Sequence, residues 1–354
     1  MKKLVLVIII LLLVVANIWV IYNGELQAVG KSSDKIEFIV TENETYNSLA
    51  TRLKTKNLIK SELAYKVYLR LNPPKNYLLA GKYYLSEDMD VATLVKTLGT
   101  EAKSTKETVT ITFKEGKNMR HIASLISENT DNTYEDVFEV QKDTKYLDSL
   151  IEEYWFLTED IKNKNIYYPL EGYLFPDTYE FLKDDSVQDI FKKMLDQTKL
   201  KLEPYKLEIE SSNYSIHNLI TLASIVELEG ASSNDRALVA GVFYNRLNSG
   251  WYLGSDVTTF YAEKMDDWTK ELTYAQLDAC NAYNTRGTCV KGLPVGPICN
   301  PGIASLGAVF EPASHNDYYF VADCNGKTYL SKDANEHSRT INNLKASNLW
   351  CEHW

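Results

Sequence analysis

From Leu4 to Tyr22 the chain is apolar, broken only by Asn17. At ~1.5 Å rise per residue, such a run makes one helical bilayer crossing. Lys2 and Lys3 precede it and Asn23-Gly24-Glu25 follow. The positive-inside rule therefore puts residues 1–3 in the cytoplasm and everything after the run outside. A cleaved signal peptide is the rival reading. Its apolar core is shorter and ends in small residues, whereas this run ends in Ile18-Trp19-Val20-Ile21-Tyr22; a retained anchor is favoured. Residues 23–35 read as a polar linker. Ile36 to Val40 has the pattern of a strand. Thr45 to Thr55 places Leu49, Ala50 and Leu53 at helical spacing. Ser61 can cap a helix with Leu63, Val67 and Leu71 on one face. Lys82 to Leu85 reads as a strand, and Asp90 caps a helix over Val91 to Leu98, closed by Gly99. Thr108 to Phe113 alternates as a further strand. Residues 130–165 are helical and polar, with Thr133 and Asp136 as a capping box. His217 to Glu229 is apolar on nearly all sides, which predicts a buried helix.

Composition narrows the class. The 354 residues suffice for two or three compact units. A net charge of −10 argues against a nucleic-acid partner, which calls for a basic patch. The 24 tyrosines suit sugar binding, though a compositional habit of the source explains them as well. Five cysteines, Cys280, Cys289, Cys299, Cys324 and Cys351, crowd the last quarter of the chain without zinc-ligand spacing. No metal site or cofactor is expected. In an oxidising compartment one or two disulfides can form, leaving one thiol over; reduced, buried cysteines are the alternative. If Cys289 is paired, its expected partner is Cys280 or Cys299.

The chemistry candidates lie beyond Tyr167, where glycine, proline and aromatic residues become frequent. Pro169 to Tyr179, with Glu171, reads as a rigid loop that either lines a cleft or packs on the core. The helix 217–229 ends in Glu227 and Glu229, followed by Gly230, which suits the C′ position. Burial and the negative end of the helix both disfavour a carboxylate anion there, so its pKa should be raised, as a proton donor to a glycosidic bond requires. Glu229 is nearer the end. Two residues apart, the acids point about 200° apart around the helix, so one is expected to be catalytic and the other structural; solvated helix-end residues are the plain alternative. Asn245, Arg246 and Asp256 flank a glycine-rich turn, and 282–302 is a long loop stiffened by prolines.

"ASIVELEG", "VFYNRL", "SDVTTFYA", "AYNT", "GLPVGPICNPG" and "YFVAD" follow one another from Ala223 to Asp323. In that order they resemble the YceG-like endolytic murein transglycosylases, with the likeness running over about residues 36–345. The resemblance implies Glu229 as the catalytic acid. It also places the family's tight Tyr-Asn-Thr segment on Tyr283, Asn284 and Thr285, and these, with Glu171, Glu227, Asn245, Arg246, Asp256, Pro301 and Gly302, are the expected substrate contacts. Three departures stand out: Val257 in place of proline after Asp256, Val295 within Gly-Leu-Pro-Val-Gly-Pro, and a loop about two residues longer that carries Cys289. "FIVTENETYNSLATRL" resembles the opening of a LysM unit, with Asn43-Glu44 where Gly-Asp is usual, and "KEGKNMRHIASLI" echoes it; a generic βα unit is the alternative. The implied architecture is α+β. It comprises a cytoplasmic tail (1–3), a transmembrane helix (4–22), a linker (23–35), a LysM-like α/β module (36–128), a helical connection (129–166) and a larger mixed α+β catalytic domain (167–354). The implied partners are peptidoglycan glycan strands and cell-wall synthesis proteins. The implied reaction is non-hydrolytic cleavage of the bond between N-acetylmuramic acid and N-acetylglucosamine in nascent strands. A hydrolase using Asp256 or Glu171 as second carboxylate, or a non-catalytic wall-binding scaffold, would be the other outcomes.

Overall fold

The computed structural model describes residues 2–41, 44–100, 107–230, 232 and 235–351, with side chains from Ile9 onward. Met1 of the expected tail and Asn43 of the LysM-like opening lie outside them. The chain is mixed α+β and divides into two compact units, residues 1–107 and 108–354.

The first unit begins with helix α1 (Lys2–Leu26), which runs four residues past the end of the apolar run at Tyr22. Nothing stops it at Tyr22, because Asn23 turns its amide back onto the carbonyl of Trp19 and the helix ladder continues. An 18-residue window, Ile9–Leu26, is long and apolar enough to cross a membrane. Next come β1 (Ile36–Val40), α2 (Ala50–Thr55), α3 (Glu62–Leu71), β2 (Gly81–Leu85) and α4 (Val91–Leu98). β1 and β2 pair antiparallel, Ile36 opposite Leu85 and Val40 opposite Gly81. Helix α2 starts later than Thr45, since Thr45 and Ser48 exchange side-chain-to-backbone hydrogen bonds and hold 45–48 as a turn. Ser61 caps α3 by accepting from Ala64 N, and Asp90 caps α4. The face that α3 buries is a surprise. Ala64, Tyr65 and Leu69 enter the core of this unit with Phe38, Leu53 and Leu94, whereas Leu63, Val67 and Leu71 stay exposed. The Tyr65 ring fills the space that the Leu63 stripe was expected to fill, and its hydroxyl donates to the carbonyl of Tyr46.

The second unit opens with β3 (Thr108–Thr112), α5 (Met119–Asn129), α6 (Tyr134–Val140) and α7 (Thr144–Glu153), then β4 (Thr178–Leu182). β3 pairs antiparallel with β4, Thr108 opposite Leu182. Residues 108–128 therefore belong to this unit, and the division falls at 107/108 rather than at 128/129. The Thr133–Asp136 capping box is present at α6. After α8 (Val187–Leu202) and α9 (Lys206–Ser211) comes α10 (Ile216–Glu229), whose residues 219–227 are all buried. It packs against α11 (Arg236–Asn248), α12 (Asp256–Ala262) and α14 (Ile303–Phe310); the short α13 (Tyr274–Leu277) precedes the long loop. A hairpin of β5 (Tyr319–Ala322) and β6 (Thr328–Ser331) leads to α15 (Ala334–Ala346).

Candidate active site

Helix α10 brings the two acids to its end and sends them apart. Glu227 turns into the protein. Its carboxylate meets Arg236 Nη2 at 2.7 Å and accepts from Gly302 N at 3.0 Å and Ser305 Oγ at 2.7 Å. It thus ties α10 to α11 and to the N-terminus of α14, where the helix field favours an anion. Glu229 instead borders a cleft of about 1050 Å³, together with Arg246, Trp251, Asp256, Trp268, Arg286, Tyr319 and Trp350. Gly230 follows in an extended conformation, φ −75°, and not in the left-handed one expected. The position still needs glycine, because a Cβ there would sit 2.7 Å from Arg236 Cγ and 2.9 Å from Val226 O.

The environment of Glu229 is built by α12. Ser255 stands at the N-cap of that helix, where a hydroxyl usually accepts from the backbone. Here it donates to Glu229 Oε1 at 2.6 Å. Among the described residues no group is hydrogen-bonded to Oε2. Burial pushes the Glu229 carboxyl above its ordinary value. The Ser255 hydrogen bond pulls it back, Asp256 pushes it up, and Arg246 and Arg286 oppose Asp256.

Ser255 is itself held by the long loop. Its N–H donates to Thr285 Oγ1, and Thr285 N donates to Thr258 Oγ1. Asn284 Nδ2 reaches the carbonyls of Gln276, Leu277 and Ala279, while its Oδ1 accepts from Thr259 Oγ1. Tyr283 is fully buried, its ring tilted against Tyr167 and edge-on to Tyr261. The Cys280–Cys289 disulfide closes this stretch, and Cys324–Cys351 is a second bridge; Cys299 is free and buried.

Of the residues named from the sequence, Glu229, Arg246 and Asp256 therefore border the cleft. Asp256 pairs with Arg286 at 3.2 Å, and Arg246 Nε donates to Tyr318 O at 2.8 Å, fixing the strand that carries Tyr319. Asn245 lies beside Arg246 but spends its amide on the carbonyls of His315 and Asp317. Tyr283, Asn284 and Thr285 stand behind the cleft wall, and Pro301 and Gly302 are buried at the start of α14.

Glu171 is elsewhere. It is 1% exposed and accepts from Met119 N at the start of α5, from Tyr261 Oη and from Asn300 Nδ2. Burial raises its pKa to about 7, against the pull of Met119 N and Tyr261. Its loop is core packing: at Gly172, φ +86°, a Cβ would lie 2.4 Å from Pro297 Cβ. The sequence reading missed Ser255, Arg286 and the aromatic lining. The first two adjoin Asp256 and Thr285, but only the fold shows Ser255 donating to Glu229 and Arg286 pairing with Asp256.

The family model described as YceG-like matches residues 38–343. The chain is 34% identical over 311 residues to the endolytic murein transglycosylase of Bacillus subtilis (strain 168), covering 87% of this chain and 84% of that one. It is 30% identical over 318 residues to the protein of the same name from Streptococcus pneumoniae serotype 2 (strain D39), of whose length it spans 57%. A 2.6 Å crystal structure of a yceG-like protein from Listeria monocytogenes superposes with a TM-score of 0.61 at 32% identity, over 87% of this chain and 100% of that one. With the match extending from β1 to α15, the chain belongs to the YceG-like family.

Proposed function

We propose that this protein is an endolytic murein transglycosylase and that Glu229 is its acid and base. The observation that carries the reading is the Glu229 carboxyl, raised in pKa, at the rim of a large aromatic cleft, with no hydrogen bond to Oε2 among the described residues. Glu229 first gives its proton to the glycosidic oxygen between N-acetylmuramic acid and N-acetylglucosamine. As that C–O bond breaks, the muramic acid 6-hydroxyl attacks the anomeric carbon and its proton passes to the Glu229 carboxylate. The product is a 1,6-anhydro ring, the acid is regenerated, and no water is consumed. A raised pKa serves the first half, and the local arginines, with Ser255, steady the anion in the second. Trp251, Trp268 and Tyr319 supply flat apolar faces for sugar rings, with Arg246 and Asp256 on the same wall. Tyr283, Asn284 and Thr285 act on substrate through Ser255 and the wall they support.

The hydrolase reading is weaker. Glu171 is sealed in another part of the fold, and Asp256 is engaged by Arg286. The α1 helix serves as a retained anchor, with residues 1–3 inside and everything after the apolar run outside, beside nascent strands and the proteins that make them. The β1-α2-α3-β2 order supports a LysM-like reading of the first unit. Mass spectrometry of digested glycan strands tests the chemistry. Anhydro-muramic ends are expected; reducing ends would mean that water attacked, and intact strands would leave the scaffold reading.

A further inference from the structure

We infer that α3 is a second membrane contact, lying in the boundary between headgroups and acyl chains of the leaflet from which α1 emerges. The inference rests on α1 spanning the bilayer and is independent of the chemistry at Glu229. Helix α3 carries three stripes. Ala64, Tyr65 and Leu69 are buried; Leu63, Val67 and Leu71 are 74%, 38% and 62% exposed; Glu62, Lys66 and Arg70 form the charged edge. An i, i+4, i+8 row of open aliphatic side chains has no use in water.

What covers the row follows from its neighbour. Lys60 Nζ, just before α3, donates to the carbonyl of Gly24 near the outer end of α1. From there α3 and α1 share an apolar groove of about 1260 Å³, with Leu63, Val67 and Leu71 on one side and Val15, Trp19 and Tyr22 among the residues on the other. The stripe is therefore continuous with the surface of a helix whose candidate span is wholly unburied. Trp19 and Tyr22, 5.8 Å apart, are the residue types that settle at the membrane–water boundary. Lys60, Lys66 and Arg70 lie where anionic headgroups would meet them. The occupant is lipid, and the contact would tie the first unit to the bilayer at two places.

The disulfides give a clean test. Four cysteines are bonded and Cys299 is buried, so one introduced thiol can be labelled with an environment-sensitive dye. The full chain carrying Leu63→Cys, Val67→Cys or, as the water-facing control on α4, Lys96→Cys would be reconstituted sparsely in phosphatidylcholine–phosphatidylglycerol vesicles. Part of the lipid would bear a nitroxide at a shallow acyl position. The dyes at 63 and 67 should shift to the blue and lose most of their emission to the nitroxide, while the dye at 96 keeps its own. Emission at 63 and 67 matching that at 96 overturns the inference. A blue shift without quenching overturns it too, because protein then covers the stripe. If the chain fails to float with vesicles at all, the anchor reading falls and takes this one with it.

Discussion

Glu229 and Ser255 are two side chains with one hydrogen bond, and each makes a separate forecast. Glu229→Gln keeps size and polar contacts but has no transferable proton, so strand cleavage should fall at least ~10²-fold. Its stability effect depends on pH. The folded carboxyl has a pKa above its ordinary 4.5, so the fold prefers the protonated form and is penalised once the group ionises. The variant should therefore melt higher than the wild type above the raised pKa. That advantage should shrink as pH falls and vanish below about 4.5, where both side chains are neutral. Thermal melts across pH read this directly; a constant offset would mean that charge is not the cause. Ser255 donates to the anion and so lowers the pKa of Glu229. Ser255→Ala should move the alkaline limb of the pH–rate profile to higher pH. An unmoved limb with only a lower plateau would assign Ser255 a packing role instead.

At the scale of elements, α10 shows how much a pattern can tell. Its burial and its terminal acids were legible because apolar residues on all sides admit no solvent-facing stripe. That the two acids would part was legible as well, from helical geometry alone. Which partners they meet was not, since Arg236, Ser305 and Ser255 arrive from three other elements. The same limit hid the true limit of the first unit: β3 reads locally as part of that unit, but its partner β4 comes 66 residues later. Helix α3 misled for a different reason, because two of its faces are apolar and spacing cannot rank them. Glu227 gives the element-scale forecast. Its ion pair with Arg236 is nearly sealed, with side chains 5% and 12% exposed. Glu227→Gln strands a buried guanidinium, so the protein should lose on the order of 3 kcal/mol in denaturant unfolding. The remaining folded enzyme should cleave strands far better than Glu229→Gln does. A stable but inactive Glu227→Gln would reverse the roles assigned to the two acids.

At the scale of the molecule, address and covalent structure have to agree. Two disulfides persist only in an oxidising compartment, which is where the positive-inside reading of Lys2 and Lys3 puts the second unit. Both bridges also close on parts of the cleft. Cys280–Cys289 encloses Thr285 and Arg286, and Cys324–Cys351 ties down the residue next to Trp350, a cleft residue. Cys299 is of another kind: it is 1% exposed, its Sγ rests 3.3 Å from the carbonyl of Ser224 on α10, and burial holds its thiol well above the ordinary pKa. A thiol that is neither exposed nor ionised should be inert. Alkylation followed by mass spectrometry of the protein from intact cells should then climb in three steps. The native protein takes up no label. Unfolding without reductant adds one, at Cys299, and unfolding with reductant brings the total to five. Five labels before reduction would place the cysteines in a reducing compartment and contradict the outward topology. One label on the native protein, mapped to Cys299, would show instead that the contact between α10 and the loop 292–302 opens in solution.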